Sequence, residues 1–131
     1  MDKKILIFKN DRLGDLMHSI EGINAISVSN PDKKVIIYLS KISENFFFLL
    51  KKKNTEVKIL NYHLKIIEKI KIFFYLSTTN VDSVYILSPK FFYFFLPCFF
   101  RKIKFFAICV NSTNRNRRPS LFLRRFLYKY I

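Results

Sequence analysis

Hydrophobic residues along the chain fall into five short runs, separated by longer stretches in which they recur at helical spacing. The runs are rich in β-branched residues and are bounded by polar residues, as buried strands are. They cover 4–8 (KILIF), 34–39 (KVIIYL), 56–60 (EVKIL), 83–87 (SVYIL) and 104–110 (KFFAICV). Helix-sized stretches lie between them, near 13–29, 42–53, 62–76 and 90–101. Strands joined in this way predict an α/β fold: a Rossmann-like, mostly parallel sheet with helices on both faces.

The stretch 13–29 has the clearest helical period. At about 100° per residue its apolar side chains fall within about 120° of one another, which predicts a stripe that packs on the sheet. The members of this stripe are Leu13, Leu16, Met17, Ile20 and Ile23. The opposite side of the helix, which is expected to be exposed, carries Asp15, His18, Ser19 and Gly22.

Polar side chains follow each predicted strand at the point where it ends. In open α/β sheets ligands bind outside the carboxyl ends of the strands, so these residues are candidates for a common binding edge. They are Lys9, Asn10, Asp11 and Arg12, then Ser40 and Lys41, Asn61 and His63, Ser88 and Lys90, and Asn111 and Ser112. Together they could hold a sugar that bears phosphate or carboxylate groups. The alternative is that they are the ordinary polar residues of surface loops.

The segment RLGD, at the predicted start of the first helix, is the strongest candidate for chemistry. Gly14 is expected to allow a tight turn with no side chain in the way of a ligand. Asp15 would enter the first helical turn, where the helix dipole and the nearby Lys9 and Arg12 favour its charged form. His18 would lie close enough to contact this carboxylate or a substrate. Such a carboxylate can take a proton from a substrate hydroxyl, although a helix-start acid beside a solvated histidine is the alternative.

The charge of the chain is strongly positive, at +15, and is unevenly distributed. Asp82 is the last acidic residue, and ten Lys or Arg residues follow from Lys90 onward. This asymmetry indicates an anionic partner such as a phosphorylated lipid, a nucleic acid or a membrane surface. Coding from AT-rich DNA would explain many of the lysines, but six of the seven arginines lie after residue 100. A non-catalytic basic module that binds nucleic acid or anionic lipid is therefore an alternative function.

Length and composition fit one α/β domain over 1–110, followed by a basic linker and an amphipathic helix over 111–131 with Pro119 in its first turn. The two cysteines lie in apolar runs and are expected to be reduced thiols, which favours a cytoplasmic location. The N-terminus lacks the features of a signal peptide. The apolar segment 91–100 (FFYFFLPCFF) is too short to span a bilayer, so we expect it in the core, with an interfacial position as the alternative.

Several familiar sites have no support in the sequence. With only two glycines, Gly14 and Gly22, the chain has no dinucleotide-binding or Walker-type phosphate loop. No Cys and His residues have the spacing of a structural zinc site, and no metal or other cofactor is expected. Because it has neither kind of phosphate loop, this domain is not expected to hold most of a nucleotide by itself.

The start of the chain resembles glycosyltransferase family 9, the heptosyltransferases of lipopolysaccharide core synthesis. The resemblance lies in KILIF, the short polar turn after it and RLGDLMHSIEGINAI, with NPDKKVIIYLS similar to the second strand of the family. It is specific over residues 5–40, and Glu21 stands where the family usually has a proline. The family has two Rossmann-like domains, the GT-B arrangement, of which this chain would be the N-terminal, acceptor-binding half.

The resemblance implies that Asp15 is the general base, which takes a proton from the acceptor hydroxyl during inverting attack on the anomeric carbon. Under this interpretation Lys9, Arg12, Lys41 and Lys90 would hold acceptor phosphates or carboxylates, and Gly14 would clear space for the acceptor. The other predicted binding residues, taken from the strand ends and the exposed helix face, are Asn10, His18, Ser40 and Ser88. The implied partners are a lipid-linked sugar acceptor and a nucleotide-sugar donor, usually ADP-heptose, that a missing C-terminal domain would bind. Peripheral contact with the cytoplasmic face of the inner membrane is expected, and nucleic acid is not. Without the donor domain, the chain alone is expected to be inactive.

Overall fold

A parallel β-sheet lies at the centre of the computed structural model, which describes residues 2–50, 53–108 and 121–130. In the order β3-β2-β1-β4-β5-β6, six strands pair side by side, and every pair is parallel. Their bounds are β1 Lys4–Lys9, β2 Lys34–Ser40, β3 Thr55–Leu60, β4 Val81–Ile86, β5 Lys104–Ala107 and β6 Lys129–Tyr130. This arrangement confirms the predicted α/β, Rossmann-like fold class.

Helices connect most of these strands. They are α1 (Leu13–Ser29), a 3₁₀ helix (Lys41–Leu50), α2 (Ile66–Thr78), α3 (Phe91–Phe99) and α4 (Leu121–Arg124). The predicted helix over 42–53 is thus a 3₁₀ helix that ends at Leu50, with residues 51–52 outside the described part. No helix of the described residues is long and apolar enough to cross a bilayer.

The sheet separates two hydrophobic layers. On one face, Ile5, Ile7 and Ile37 pack with α1 and the 3₁₀ helix. On the other face, the Phe8 ring stacks between the rings of Tyr38 and Tyr93, with centroid distances of 5.0 and 4.3 Å. Because β1 and β2 are covered on both faces, they are almost continuously apolar, as central parallel strands usually are.

The apolar stripe predicted for α1 is confirmed in four of its five members. Leu16 and Ile23 are buried, and Leu13 and Ile20 are partly buried against the same layer. Met17 is an exception, since 49 % of its surface is exposed. It lies at the edge of the predicted stripe, beyond the reach of the sheet.

The C-terminal segment differs from the predicted long helix. Helix α4 ends at Arg124, and residues 129–130 instead form β6, with Phe106 opposite Lys129. The backbone N–H of Tyr128 donates to the Phe105 carbonyl oxygen at 2.8 Å. The open edge of β5 offers backbone donors and acceptors that a helix could not satisfy, which explains why the chain becomes extended here.

Some predictions fall outside the described residues. The basic linker at 111–120 and Cys109 lie there, whereas Cys98 is described as a free, partly buried thiol. Since the segment 121–130 joins the same sheet as the rest, it is part of this α/β domain. A further domain after it stays a prediction.

Candidate functional site

A cleft of about 150 Å³ opens at the carboxyl edge of the sheet. It lies beyond the ends of β1 and β4, which are neighbours in the sheet. From β1 the chain continues to β2 and β3 on one side, and from β4 it continues to β5 and β6 on the other. This is the position at which open α/β sheets form a crevice, because the connections on the two sides diverge. The polar side chains that line the cleft are Lys9, Asp11, Asp15, Tyr62, Ser88 and Lys90.

A buried ion pair lies at the base of the cleft. The Lys9 Nζ is 2.9 Å from Asp11 Oδ2 and donates a second hydrogen bond, of 3.1 Å, to the Leu87 carbonyl oxygen. The Lys9 side chain is 4 % exposed and that of Asp11 15 %. The Ser40 hydroxyl donates to the Asp11 backbone carbonyl at 2.7 Å, which fixes the turn after β1. The pair leaves the base of the cleft close to neutral.

Two polar atoms beside this ion pair have no hydrogen-bond partner among the described residues. They are Asp11 Oδ1 and Ser88 Oγ, both buried and both on residues that line the cleft. Only 1 % of the Ser88 surface is exposed. A buried polar atom without a partner costs about 1–3 kcal/mol, so such atoms usually bind water or a ligand. Both atoms are buried on residues that line the cleft, so water or a bound ligand is the kind of partner that could satisfy them.

Asp15 brings a third oxygen-bearing group to the cleft. It lies in the first turn of α1 and is exposed. The helix begins at Leu13, and its cap residue, Arg12, makes no side-chain capping hydrogen bond. The dipole of this 17-residue helix favours a negative charge at this position. Asp15 is therefore an accessible carboxylate that faces the cleft.

The expected role of Gly14 in a tight turn is wrong. Gly14 lies within α1, and none of the described glycines has a positive φ, so any residue could adopt this backbone. A Cβ at this position would meet nothing within 4 Å, which means that open space lies beside the backbone. Because α1 begins at Leu13, Gly14 is already a helical residue and not part of the turn before the helix.

The opposite wall of the cleft is formed by Tyr62 and Lys90. The Lys90 Nζ donates to the Tyr62 carbonyl oxygen and also lies 4.1 Å from the centre of the Tyr62 ring. Lys90 is the cap residue of α3, and Tyr62 follows β3. The contact joins two segments that are distant in sequence, and it gives this wall a positive charge.

A network behind this wall holds it in place. The Asn10 amide donates to the Asn61 carbonyl oxygen at 3.0 Å, and the Tyr93 hydroxyl donates to Asn10 Oδ1 at 2.7 Å. Burial raises the pKa of Tyr93 well above its usual value, so this hydroxyl stays protonated and remains a donor. Asn10 is completely buried. Its side chain positions the loop after β3.

Glu68 anchors the same loop from α2. Its carboxylate accepts hydrogen bonds from the Asn61 backbone N–H, the Asn61 amide and the Lys65 backbone N–H, at 2.8 to 3.0 Å. Partial burial raises the pKa of Glu68, but these hydrogen bonds outweigh it, and the pKa lies below its ordinary value of 4.5. The charged form of Glu68 therefore stabilises the loop that carries Tyr62.

The structure divides the ten predicted site residues into three groups. Four of them line the cleft: Lys9, Asp15, Ser88 and Lys90. Asn10 and Ser40 are fully buried, and their side chains bind other parts of the protein. The remaining four are exposed and lie outside the cleft lining: Arg12, Gly14, His18 and Lys41.

Sequence reasoning missed the parts played by Asp11, Tyr62, Glu68 and Tyr93. Asp11 was only one of several polar residues after β1, and nothing in the sequence indicates that Lys9 would pair with it. Glu68 did carry a signal, because an acid three residues after the helix cap often binds the backbone before the helix. The pairings of Tyr62 and Tyr93 join segments far apart in sequence, so no local pattern indicates them.

The arrangement suits binding of a hydroxyl-bearing group and removal of a proton from it. Typical small-molecule sites have volumes of about 300–1,000 Å³, so a cleft of about 150 Å³ encloses only part of such a ligand. The described residues include no cluster of three or more His, Cys, Asp or Glu side chains placed to hold a metal ion.

No protein-family model, curated protein or solved structure matches the chain.

Proposed function

We propose that this domain binds a sugar acceptor in the cleft and that Asp15 takes a proton from the acceptor hydroxyl during glycosyl transfer. The domain would be the acceptor-binding half of an inverting glycosyltransferase similar to family 9. One observation carries the proposal. An accessible carboxylate at the start of α1 faces a cleft at the reversal point of the sheet, where two buried polar atoms have no partner among the described residues.

A sugar is the ligand class that best matches these two atoms. Asp11 Oδ1 can only accept a hydrogen bond while the carboxylate is paired with Lys9, and the Ser88 hydroxyl can donate or accept. We expect neighbouring hydroxyls of a sugar to donate to Asp11 Oδ1 and to bind the Ser88 hydroxyl. On binding, a ligand of this kind would give both buried atoms a hydrogen-bond partner and so remove the free-energy cost of leaving them unpaired.

The proposed step is a general-base displacement. As the acceptor oxygen attacks the anomeric carbon of the donor, its proton passes to an Asp15 carboxylate oxygen. The new glycosidic C–O bond forms while the bond from the anomeric carbon to the nucleotide diphosphate breaks, and the diphosphate leaves with that electron pair. A positioned base typically contributes about 10²–10⁴-fold to the rate.

The cations of the cleft would assist binding of an acceptor that carries phosphate or carboxylate groups. Lys90 adds positive charge to the wall formed with Tyr62. Lys9 is neutralised by Asp11, so its part is to hold that carboxylate in place. The donor would bind a second domain that faces this edge of the sheet.

Binding can be tested on the 131-residue chain by ¹⁵N–¹H NMR titration with glucose 6-phosphate, a sugar that carries one anionic group. We expect shift changes centred on 9–15 and 87–90, and a Kd about 3–10-fold higher for Ser88→Ala, the loss of one hydrogen bond. Ser29→Ala, an exposed serine at the end of α1, is the matched control. If inorganic phosphate alone gives the same shifts, the site recognises anions and the proposed sugar specificity is wrong.

Catalysis requires an enzyme reconstituted with a donor-binding domain. There, Asp15→Asn should lower transfer by about 10²–10⁴-fold while sugar binding and folding are retained. Turnover that persists in this variant would exclude Asp15 as the base.

A further inference from the structure

Helix α2 has an apolar side that faces away from the protein. Ile72 and Leu76 pack against the sheet, whereas five other large apolar residues are between 39 and 78 % exposed. At about 100° per residue these five lie within roughly 120° of one another, on the side opposite the core. They are Ile66, Ile67, Ile70, Phe73 and Phe74. The inner side of α2 already covers the sheet, and of the outer five only Phe73 has described ring contacts, with Phe99 and Phe100.

Helix α3 carries a second exposed stripe beside the first. Phe91, Phe95 and Phe99 are spaced four residues apart and are 58, 37 and 66 % exposed. The Phe99 ring contacts the Phe73 ring of α2, with a centroid distance of 5.5 Å. Together the two stripes make one continuous apolar surface, called here the α2–α3 face. Eight large exposed apolar residues gathered on one side of a small domain usually mark an interaction site.

Positively charged residues lie at the edges of this face. Lys65, Lys71, Arg101 and Lys102 are exposed at the ends and side of the two helices. The only acid in α2 and α3 is Glu68, whose carboxylate is hydrogen-bonded to the loop before α2. The rim is therefore cationic, and a negatively charged partner is favoured.

We propose that the α2–α3 face docks on the surface of a bilayer that contains anionic lipids. Exposed Phe and Ile side chains surrounded by Lys and Arg are the combination that inserts at the headgroup boundary while the cations bind lipid phosphates. Neither helix is long enough to span the bilayer, so both would lie along its surface.

Charge argues against the other occupants. A second copy of the chain would bring two proteins of charge +15, with cationic rims, into contact. A nucleic acid would match the rim but leave the isoleucines of α2 without apolar partners. An anionic bilayer satisfies both the rim and the centre of the face.

Docking of this face would bring the cleft near the bilayer. Both helices begin at the carboxyl edge of the sheet, and Phe91 directly follows Lys90 of the cleft wall. The inference about docking does not depend on sugar transfer, and it stands if the cleft binds another ligand.

Vesicle flotation with the 131-residue chain tests the proposal, using phosphatidylglycerol–phosphatidylcholine vesicles against pure phosphatidylcholine. We expect binding to the anionic vesicles only. The triple variant Ile66→Ser/Phe74→Ser/Phe99→Ser should weaken this binding at least about tenfold, because three apolar side chains no longer leave water. The matched control, Val28→Ser/Ile42→Ser/Phe48→Ser, changes residues of 60 to 66 % exposure on the opposite layer and should bind as the unchanged chain does.

Tryptophan fluorescence gives a second, independent readout, because the chain contains no tryptophan. In Phe74→Trp, anionic vesicles should shift the emission to shorter wavelength, and brominated lipid chains should quench it. In Phe48→Trp, on the opposite layer, the emission should stay unchanged.

Three results would overturn the proposal. The first is failure of the folded chain to bind anionic vesicles, with folding verified by circular dichroism. The second is an equal loss of binding in the control triple variant. The third is a stable dimer in sedimentation velocity that the Ile66/Phe74/Phe99 variant dissociates, which would assign the face to a second copy instead.

Discussion

The cleft and the α2–α3 face depart from the usual distribution of polar and apolar groups in opposite directions. The cleft buries two polar atoms that have no partner among the described residues, and the α2–α3 face exposes eight large apolar side chains. A buried polar atom is satisfied by a few hydrogen bonds of defined direction, whereas an apolar surface is satisfied by any apolar area that covers it. In the two proposals, the first region selects a ligand by its hydroxyls, and the second selects a surface by area and charge.

The largest expected effect is the loss of stability in Phe8→Ala, which truncates a buried aromatic residue, compared with Phe74→Ala, which truncates an exposed one. Phe8 is completely buried between two tyrosine rings, so its truncation should lower the free energy of unfolding by about 3–5 kcal/mol. Phe74→Ala, on the α2–α3 face, should change it by less than about 0.5 kcal/mol. Urea unfolding of both variants checks this. A large loss for Phe74→Ala would show that the face is part of the core.

The next largest effect tests the network behind the cleft. Asn10→Ala should lower the free energy of unfolding by about 2–3 kcal/mol, because it leaves the Tyr93 hydroxyl and the Asn61 carbonyl without a partner. Asn45→Ala, at an exposed position of the 3₁₀ helix, is the matched control. Equal stability of the two variants, measured by thermal and urea unfolding, would contradict a positioning role for Asn10.

Smaller effects are expected for two serines near the cleft: the free energy of unfolding should fall when Ser40 is replaced, and should stay equal or rise when Ser88 is replaced. Ser40→Ala removes the hydrogen bond to the Asp11 carbonyl and should cost about 1–2 kcal/mol. Ser88→Ala removes a buried hydroxyl without a described partner, so the ligand-free domain should be equally stable or up to about 1 kcal/mol more stable. If Ser88→Ala destabilises the domain as much as Ser40→Ala does, this hydroxyl is not available to a ligand.

The smallest effect concerns pH. Because the folded-state pKa of Glu68 is lowered, its stabilising contribution is fully present above pH 4.5 and is lost as the pH falls through the lowered pKa. Glu68→Gln should therefore make the melting temperature less dependent on pH between about 5 and 3 than it is in the unchanged chain. Glu44→Gln, at an exposed position, is the control. An unchanged pH profile in Glu68→Gln would contradict the anchoring role.

The sequence predicted the sheet well because the central strands are apolar on both faces. All five predicted runs are strands, with ends that differ by up to two residues within the described part of the chain; 109–110 of the fifth run lie outside it. The strands pair in parallel, as helix-sized connections predict. The predicted core position of the segment 91–100 is only partly confirmed: Tyr93, Phe94 and Leu96 are buried, while Phe91, Phe95 and Phe99, four residues apart, are exposed. A segment that is apolar all round gives no period from which to tell the two sides apart.

The sequence predicted a set of site residues, but not which of them line the cleft and which bind other parts of the protein. Lys9, Asp15, Ser88 and Lys90 meet because strand ends meet at one edge of the sheet. Asn10 and Ser40 come from the same positions in the pattern, yet they are buried by partners that lie elsewhere in the chain. Whether a polar residue after a strand faces a ligand or the protein depends on such distant partners.

The two-residue strand β6 has a consequence for synthesis of the protein. The ribosome produces β5 well before Lys129, so one edge of the nascent sheet lacks a neighbour until the segment with β6 emerges. During that interval the unpaired edge is a template on which another incomplete chain can align. Translation that stalls before Lys129 would therefore yield products prone to coaggregate.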